Sequence, residues 1–305
     1  MTPSDTLLPP PALPAPRAVL ELLKPITWFA AMWAFMCGVV SSGVSLSWAS
    51  VTFMIGGMVL AGPMVCGTSQ AVNDWFDRHV DAINQPERPI PSGRIPGNWG
   101  LRIAILWTAL SLLFAASLGV WVLWAAMVGL ALSWAYSAPP FRLKQSGWWG
   151  PAACGLCYEG LSWFTGAAVM SGGLPDWRII LLAALYSAGA HGIMTLNDFK
   201  AIEGDRQMGL RSLPVTLGVE NAAFLACVIM ALPQVIVVAE LAHWQRPVYA
   251  AIVGVSLLAQ IGLMTRLMRD PEKYAPWYNA TGITLYVLGM LASAIAVRPL
   301  VGGLL

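Results

Sequence analysis

The sequence predicts an all-α, polytopic membrane protein that crosses the bilayer about nine times. Of its 305 residues, 57% are hydrophobic and only 10% are charged, and the mean hydropathy is +0.66. This composition is too apolar for a soluble domain. The formal net charge of +2 gives no support for a nucleic-acid partner.

Nine apolar segments follow a Pro-rich start. Residues 1–20 contain six prolines and are predicted to form a disordered cytoplasmic tail, with residues 21–305 as one transmembrane domain. Most of the apolar segments are close to the roughly 20 residues that a helix needs to span a bilayer. The segments are 26–46, 49–71, 100–118, 121–137, 150–171, 179–196, 222–241, 247–265 and 280–298.

The basic residues predict how these segments are oriented. Fourteen of the seventeen Lys and Arg residues lie in the tail or in the connections after the second, fourth, sixth and eighth segments. Basic residues concentrate on the cytoplasmic side of membrane proteins. We therefore expect a cytoplasmic N-terminus, a C-terminus on the opposite side, and an active site that faces the cytoplasm.

An acidic motif follows the second segment. Asn73, Asp77 and Asp81 are spaced i, i+4, i+8 and share one face of a helix, and Asp74 lies at the edge of that face. Carboxylates on one face repel each other unless a cation lies between them, and hard oxygen donors suit Mg²⁺. The alternative is a solvated, charged loop.

A similar motif follows the sixth segment and indicates a possible internal repeat, residues 73–81 with residues 197–205. Asn197, Asp198 and Asp205 match the first motif, whereas Ala201 stands where the first motif has an aspartate. Repeats in membrane proteins often meet at a central site. Two acidic clusters on one side of the membrane could each hold a Mg²⁺ and together bind one diphosphate.

Basic side chains complete this pattern, because arginine and lysine bind phosphate oxygens. Acids, cytoplasmic bases and an apolar bundle together indicate a substrate with a diphosphate head and a long hydrocarbon tail. Ionisation of an allylic diphosphate would give a carbocation for an acceptor to trap. The available bases are Arg88, Arg94, Lys144, Lys200, Arg206 and Arg211.

Four stretches together resemble the UbiA superfamily of intramembrane prenyltransferases, and within it the chlorophyll and bacteriochlorophyll synthase branch. The resemblance extends from about residue 20 to residue 298. The stretches are Asn73-x3-Asp77-x3-Asp81, Arg88-Pro-Ile-Pro-Ser-Gly-Arg94, Tyr136-Ser-Ala-Pro-Pro-Phe-Arg-Leu-Lys144 and Asn197-Asp-Phe-Lys200 through Glu203-Gly-Asp-Arg206.

The resemblance implies a central cavity in which the C17 propionate of (bacterio)chlorophyllide is esterified by geranylgeranyl or phytyl diphosphate. It implies one Mg²⁺ on Asn73, Asp77 and Asp81 and a second on Asp205 with Asp198 or Glu203. It further implies a bacterial inner or intracytoplasmic membrane and association with photosynthetic assembly proteins. The implied substrate-binding side chains are Arg88, Arg94, Tyr136, Lys144, Lys200 and Arg206.

Two ionisable residues lie inside the apolar segments, where such groups are often functional. His191 is predicted to contact the pigment, with a helix–helix hydrogen bond as the alternative, and Glu159 is a weaker candidate. The acceptor itself needs no dedicated catalytic base, because a propionate is already ionised near neutral pH.

Other functions remain open. A transporter or cation channel also places acids in a helical bundle, but it would need them near the middle of the membrane. A non-catalytic pigment carrier leaves the two acidic motifs unexplained. Within the superfamily, enzymes that prenylate haem or quinone precursors are the close alternatives.

Overall fold

The computed structural model describes residues 13–301, and these residues fold into helices. Apart from one isolated parallel bridge between Ser146 and Arg211, the described part of the chain holds no β-structure. The helices are α1 Pro16–Leu22, α2 Trp28–Ser41, α3 Trp48–Val59, α4 Gly67–Asn84, α5 Trp99–Leu118, α6 Val120–Ser137, α7 Trp149–Gly155, α8 Ser162–Ser171, α9 Trp177–Asn197, α10 Ile202–Gln207, α11 Leu213–Leu217, α12 Val219–His243, α13 Pro247–Leu267 and α14 Pro271–Val301.

The predicted N-terminal tail is only partly covered, since residues 1–12 lie outside the described residues. Residues 16–20, which were predicted to belong to the disordered tail, are helical, because α1 begins at Pro16. Proline at the first position of a helix is favourable, since its missing N–H is not needed there. Ala18 and Leu22 of this short helix are buried in a cluster with α4 and α5.

Eight helical stretches among the described residues are long and apolar enough to cross a membrane. They coincide with eight of the nine predicted segments. The remaining predicted segment, residues 150–171, is helical but falls outside these eight, because it is divided into α7, a π-helical turn at Leu156–Leu161, and α8. The membrane character is confirmed, and the count of nine spans stays a prediction.

The second membrane segment and the first acidic motif form one helical stretch, Trp48–Asn84, of 37 residues. A π-helical turn at Leu60–Cys66 joins α3 to α4. It contains Pro63, which lacks the N–H that a regular α-helical turn requires. At 1.5 Å per residue the stretch is roughly 55 Å long, longer than a bilayer core of about 30 Å. The stretch is therefore long enough to carry its acidic end beyond the apolar layer.

Small residues allow two helices of the bundle to touch through their backbones. A Cβ atom built on Gly38 of α2 would lie 2.0 Å from the Trp163 carbonyl oxygen, and one on Gly166 of α8 would lie 2.0 Å from the Phe35 carbonyl oxygen. Close backbone approach at small residues is a typical way for membrane helices to pack.

A buried aromatic group holds α8, α9 and α14 together. The rings of Trp163 and Tyr186 stack with centroids 5.7 Å apart, and Tyr286 packs edge-on against Tyr186 at 5.3 Å. Each polar end is satisfied: Trp163 donates to Ser41 Oγ at 3.0 Å, and the Tyr186 hydroxyl pairs with Ser293 Oγ at 2.8 Å. Buried aromatic side chains generally need such partners.

Tryptophan occupies the first position of five helices. These residues are Trp28, Trp48, Trp99, Trp149 and Trp177, and Trp48, Trp149 and Trp177 are exposed in the isolated chain. An indole ring prefers the boundary between lipid and water. Trp48, Trp149 and Trp177 therefore have the position and exposure expected of an interfacial belt.

Candidate active site

Two cavities meet inside the bundle. The apolar cavity, of about 320 Å³, lies among α2, the π-helical turn after α3, α6 and the residues 153–165. The polar cavity, of about 330 Å³, lies between the end of α9 and the connections that follow α6 and α10. The side chains common to both linings are Asn73, Tyr136, Cys154 and Met194. A ligand with an anionic head and an apolar tail would fit across this boundary.

The first acidic motif is helical, as predicted, and its start lines the polar cavity. Asn73 Nδ2 donates to Asp77 Oδ2 at 3.0 Å and to Ser137 Oγ at 3.3 Å. Asp77 forms ion pairs with Lys144 and with Arg142, the latter at 3.6 Å. Burial lowers the pKa of the Lys144 ammonium, and the Asp77 carboxylate opposes this effect.

The end of the same motif points elsewhere. Arg88 bridges Asp74 Oδ1 at 3.2 Å and Asp81 Oδ2 at 2.7 Å, and Lys24 also binds Asp74 Oδ1, at 2.6 Å. Both carboxylates are buried, and neither lines the polar cavity. The predicted face of three ligands is therefore divided: Asn73 and Asp77 reach the polar cavity, whereas Asp81 is neutralised by Arg88.

Lys24 was not identified from the sequence as a partner of Asp74. Arg94 also lies away from both cavities. Its guanidinium binds the Glu21 carboxylate at 2.5 and 2.7 Å and the Glu87 carbonyl oxygen at 2.5 Å. This contact joins α1 to the connection after α4, so Arg94 does not reach the polar cavity in this conformation.

The second acidic motif differs from the first in shape. The α-helix ends at Asn197, residues Asp198–Lys200 form a 3₁₀ turn, and α10 begins only after Ala201. Asn197, Asp198 and Asp205 nevertheless line the polar cavity. The other predicted site residues of this motif do not line the cavity. Glu203 and Arg206 form an exposed ion pair at 3.1 Å, and Lys200 is exposed.

Supporting contacts hold the second motif in place. Asn279 of α14 donates a hydrogen bond of 2.9 Å to the Asn197 side-chain oxygen. Burial raises the pKa of the Asp205 carboxyl, and the Ser212 hydroxyl opposes this effect. Neither Asn279 nor Ser212 was singled out by the sequence as a functional residue. The only signal was the position of Ser212 directly after Arg211, in a Ser-Leu-Pro turn.

The two ionisable residues that the sequence places inside apolar segments lie outside both cavity linings. His191 Nε2 is 3.0 Å from the Trp148 carbonyl oxygen, and the two rings pack with centroids 4.6 Å apart. The alternative to pigment contact was a helix–helix hydrogen bond, and the structure instead gives His191 a hydrogen bond to the residue that precedes α7. Glu159 is buried in the π-helical turn between α7 and α8, and its Oε2 has no hydrogen-bond partner among the described residues.

The polar cavity suits a magnesium ion by its donors and its charge. Within residues 13–301 no three His, Cys, Asp or Glu side chains come together as a ready metal site. Mg²⁺ is usually held by one or two carboxylates together with substrate phosphates. The charged groups in the lining are three carboxylates and one ammonium, so a divalent cation would balance them. These groups are Asp77, Asp198, Asp205 and Lys144.

Known proteins with similar sequences show the family of the chain. The model of the UbiA prenyltransferase family matches residues 27–293. The bacteriochlorophyll synthase 33 kDa chain of Cereibacter sphaeroides is 58% identical over 293 residues, which cover 95% of this chain and 96% of that protein. The chloroplastic chlorophyll synthase of Oryza sativa subsp. japonica is 39% identical, covering 91% of this chain and 76% of that protein.

Solved structures share the fold at low sequence identity. A digeranylgeranylglyceryl phosphate synthase superposes with a TM-score of 0.74 at 20% identity, covering 92% of this chain and 98% of the other. A UbiA homolog from Archaeoglobus fulgidus bound to GPP and Mg²⁺ gives 0.72 at 19% identity, covering 92% and 99%. The chain therefore belongs to the UbiA prenyltransferase family of membrane enzymes, as its motifs predict.

Proposed function

We propose that the chain is a bacteriochlorophyll synthase. It would esterify the C17 propionate of bacteriochlorophyllide with geranylgeranyl or phytyl diphosphate and release diphosphate. The observation that carries this proposal is the junction of a polar cavity lined by acids with an apolar cavity of similar size. The 58% identity to a bacteriochlorophyll synthase over nearly the whole chain supports the choice of acceptor.

The donor would lie across the junction of the two cavities. Its hydrocarbon tail would enter the apolar cavity, and its diphosphate would lie in the polar cavity beside Lys144. Asn73 with Asp77 would hold one Mg²⁺, and Asp198 with Asp205 would hold a second. Asp81 is a further proposed ligand, one that must exchange its contact with Arg88 for the cation.

The remaining predicted side chains would act from the edge of the site. Arg88, released from Asp81, would reach the diphosphate, and Tyr136 would line the passage between head and tail. Arg94, Lys200, Glu203 and Arg206 lie outside the polar cavity lining and would need the connections to close over the donor. His191 is better explained by its hydrogen bond to Trp148 than by pigment contact.

The reaction is a displacement at the first carbon of the prenyl chain. The bond from this carbon to the bridging oxygen breaks, and its electron pair stays on the diphosphate. A lone pair of the propionate oxygen then forms the ester bond, and no proton is transferred. Bound Mg²⁺ would neutralise charge on the leaving diphosphate. The apolar walls around the junction would exclude water from the allylic cation.

We further propose that the site faces the cytoplasm of a bacterial inner or intracytoplasmic photosynthetic membrane. The distribution of basic residues supports this orientation. Association with photosynthetic assembly proteins is part of the same proposal and follows from the pigment product alone.

An assay on detergent-solubilised protein tests the proposal. The protein would receive geranylgeranyl diphosphate, Mg²⁺ and one acceptor at a time: bacteriochlorophyllide, chlorophyllide, haem or a quinone precursor. We expect esterified bacteriochlorophyllide, lost with EDTA and in Asp77→Asn. Asp270→Asn is the matched control, because Asp270 is exposed and asparagine can keep its hydrogen bond to the Lys273 N–H.

The other outcomes identify the alternatives. Prenylated haem or quinone precursor without pigment ester would keep the chemistry and overturn the acceptor. Tight binding of the pigment, with no diphosphate released from any acceptor, would favour the non-catalytic carrier.

A further inference from the structure

Two cytoplasmic connections are joined by their backbones beside the polar cavity. The Arg211 N–H donates to the Gln145 carbonyl oxygen at 3.0 Å, and the Gly147 N–H donates to the Arg211 carbonyl oxygen at 2.8 Å. Ser146 and Arg211 form the isolated parallel bridge. We call this contact, residues 145–147 with 211–212, the backbone bridge. It links the connection after α6 to the connection after the second acidic motif.

The backbone bridge leaves no room for a side chain at Gly147. A Cβ atom at this position would lie 2.3 Å from the Leu213 nitrogen and 2.8 Å from the Arg211 carbonyl oxygen. Both atoms belong to the backbone, so neither can move aside as a flexible side chain would. Even alanine at position 147 would therefore push the two connections apart.

The backbone bridge places the Ser212 hydroxyl in the wall of the polar cavity. Ser212 is 7% exposed, and its Oγ lies near the Asp205 carboxyl but makes no hydrogen bond of normal length and angle to any described residue. It precedes α11, yet its side chain makes no capping hydrogen bond to that helix. A buried hydroxyl without a partner is unfavourable, so its presence in a cavity lining points to a ligand that supplies one.

The neighbours of Ser212 indicate the chemistry of that ligand. The same lining holds Lys144, which directly precedes the backbone bridge, and the Asp205 carboxylate. A hydroxyl beside an ammonium and a carboxylate that could hold a cation suits an anionic oxygen such as that of a phosphate.

We propose that Ser212 is a further substrate-binding residue, whose hydroxyl donates a hydrogen bond to the diphosphate of the prenyl donor. Gly147 is then the positioning residue that fixes Ser212 relative to Lys144. This inference rests on the proposed function, because it takes the donor to be a diphosphate. It adds to that function a contact that joins the two halves of the site.

The test uses the full-length protein in detergent with Ser212→Ala and Gly147→Ala. Ser117→Ala is the control for the first, because Ser117 is distant and bonds only to its own helix. Gly262→Ala is the control for the second, because a Cβ there meets nothing within 4 Å and Gly262 lines neither cavity. The measured quantities are the KM for geranylgeranyl diphosphate, the KM for the acceptor and the inhibition constant of inorganic diphosphate with Mg²⁺.

We expect both variants to raise the donor KM and the inhibition constant about tenfold, as for a lost hydrogen bond to a charged group. The acceptor KM should stay unchanged, and both controls should resemble the wild type. A purely structural defect would instead lower the active fraction, and so kcat, with both KM values intact. If Gly147→Ala does not accumulate as folded protein, Ser212→Ala alone decides.

Wild-type values for the donor KM and the inhibition constant in Ser212→Ala would overturn the inference. Calorimetry of inorganic diphosphate binding with Mg²⁺ separates this result from a failure of the proposed function. If the wild-type protein binds diphosphate but esterifies no pigment, the acceptor is wrong, and the Ser212 contact is still tested by the loss of binding in its variant. If the wild-type protein binds no diphosphate, both proposals fall.

Discussion

Replacing Lys24 by methionine should destabilise the protein although Lys24 lies outside both cavities. Its ammonium binds Asp74 Oδ1 at 2.6 Å, and the Asp74 side chain is only 1% exposed. Arg88 shares the same carboxylate oxygen at 3.2 Å. Without Lys24, a buried carboxylate would keep one cation, which it must also share with Asp81.

The size of the effect follows from burial. Removing one partner of a buried ion pair costs about 3–5 kcal/mol. Two features reduce this figure: the Lys24 side chain is 22% exposed, and Arg88 still contacts Asp74. We expect a loss of about 2 kcal/mol in the free energy of unfolding. For a chain of 305 residues that corresponds to a fall in Tm of roughly 3 °C.

Thermal unfolding of the detergent-solubilised protein measures this loss. The double variant Lys24→Met with Asp74→Asn should be more stable than Lys24→Met alone, because it removes the uncompensated charge. Lys273→Met is the control, since Lys273 is exposed. The reasoning would be refuted if Lys24→Met left Tm unchanged, or if the double variant were the less stable of the two.

Further outcomes follow from the packing and the cavities. Gly166→Leu should prevent accumulation of folded protein in size-exclusion chromatography, because its Cβ would lie 2.0 Å from the Phe35 carbonyl oxygen, whereas Gly262→Leu should be tolerated in open space. Gly129→Leu should shorten the apolar cavity, so the ratio of kcat/KM for geranylgeranyl over geranyl diphosphate should fall; an unchanged ratio would place the tail elsewhere. Lys144→Gln should raise the donor KM about tenfold and leave the acceptor KM unchanged. Finally, kcat should be independent of pH near neutrality, because the propionate is already ionised; a sharp limb in the pH profile would reveal a catalytic base.

The first acidic motif shows what could be predicted from the sequence. Its i, i+4, i+8 spacing indicates one helical face, and α4 confirms the helix. The ion pairs were not predictable in the same way. Arg88 reaches Asp74 and Asp81 only because the connection turns back at residues 88–95, where the Ile95 N–H donates to the Pro89 carbonyl oxygen. Such long-range contacts have no signature in local periodicity.

The second acidic motif shows that similar residues at matching positions need not share a backbone conformation. Its residues align with those of the first motif, which is one continuous helix, but the chain leaves the α-helix at Asn197 and bends again at Ala201. The acids still reach the polar cavity, through a different backbone path. The position of the Ser212 hydroxyl could not be predicted either, because it comes from the pairing of two connections more than sixty residues apart in sequence.

The π-helical turn between α3 and α4 sets the direction in which the acidic motif faces. A π-turn adds one residue to the local helix, and one residue corresponds to about 100° of rotation around a helix axis. The π-helical turn at Leu60–Cys66 thus rotates α4, with the Asn73 and Asp77 side chains, about the helix axis relative to α3. Deleting a single residue there would turn both ligands out of the polar cavity while keeping every functional side chain. Insertions and deletions in this turn should therefore be tolerated less than many substitutions in the cavity wall itself.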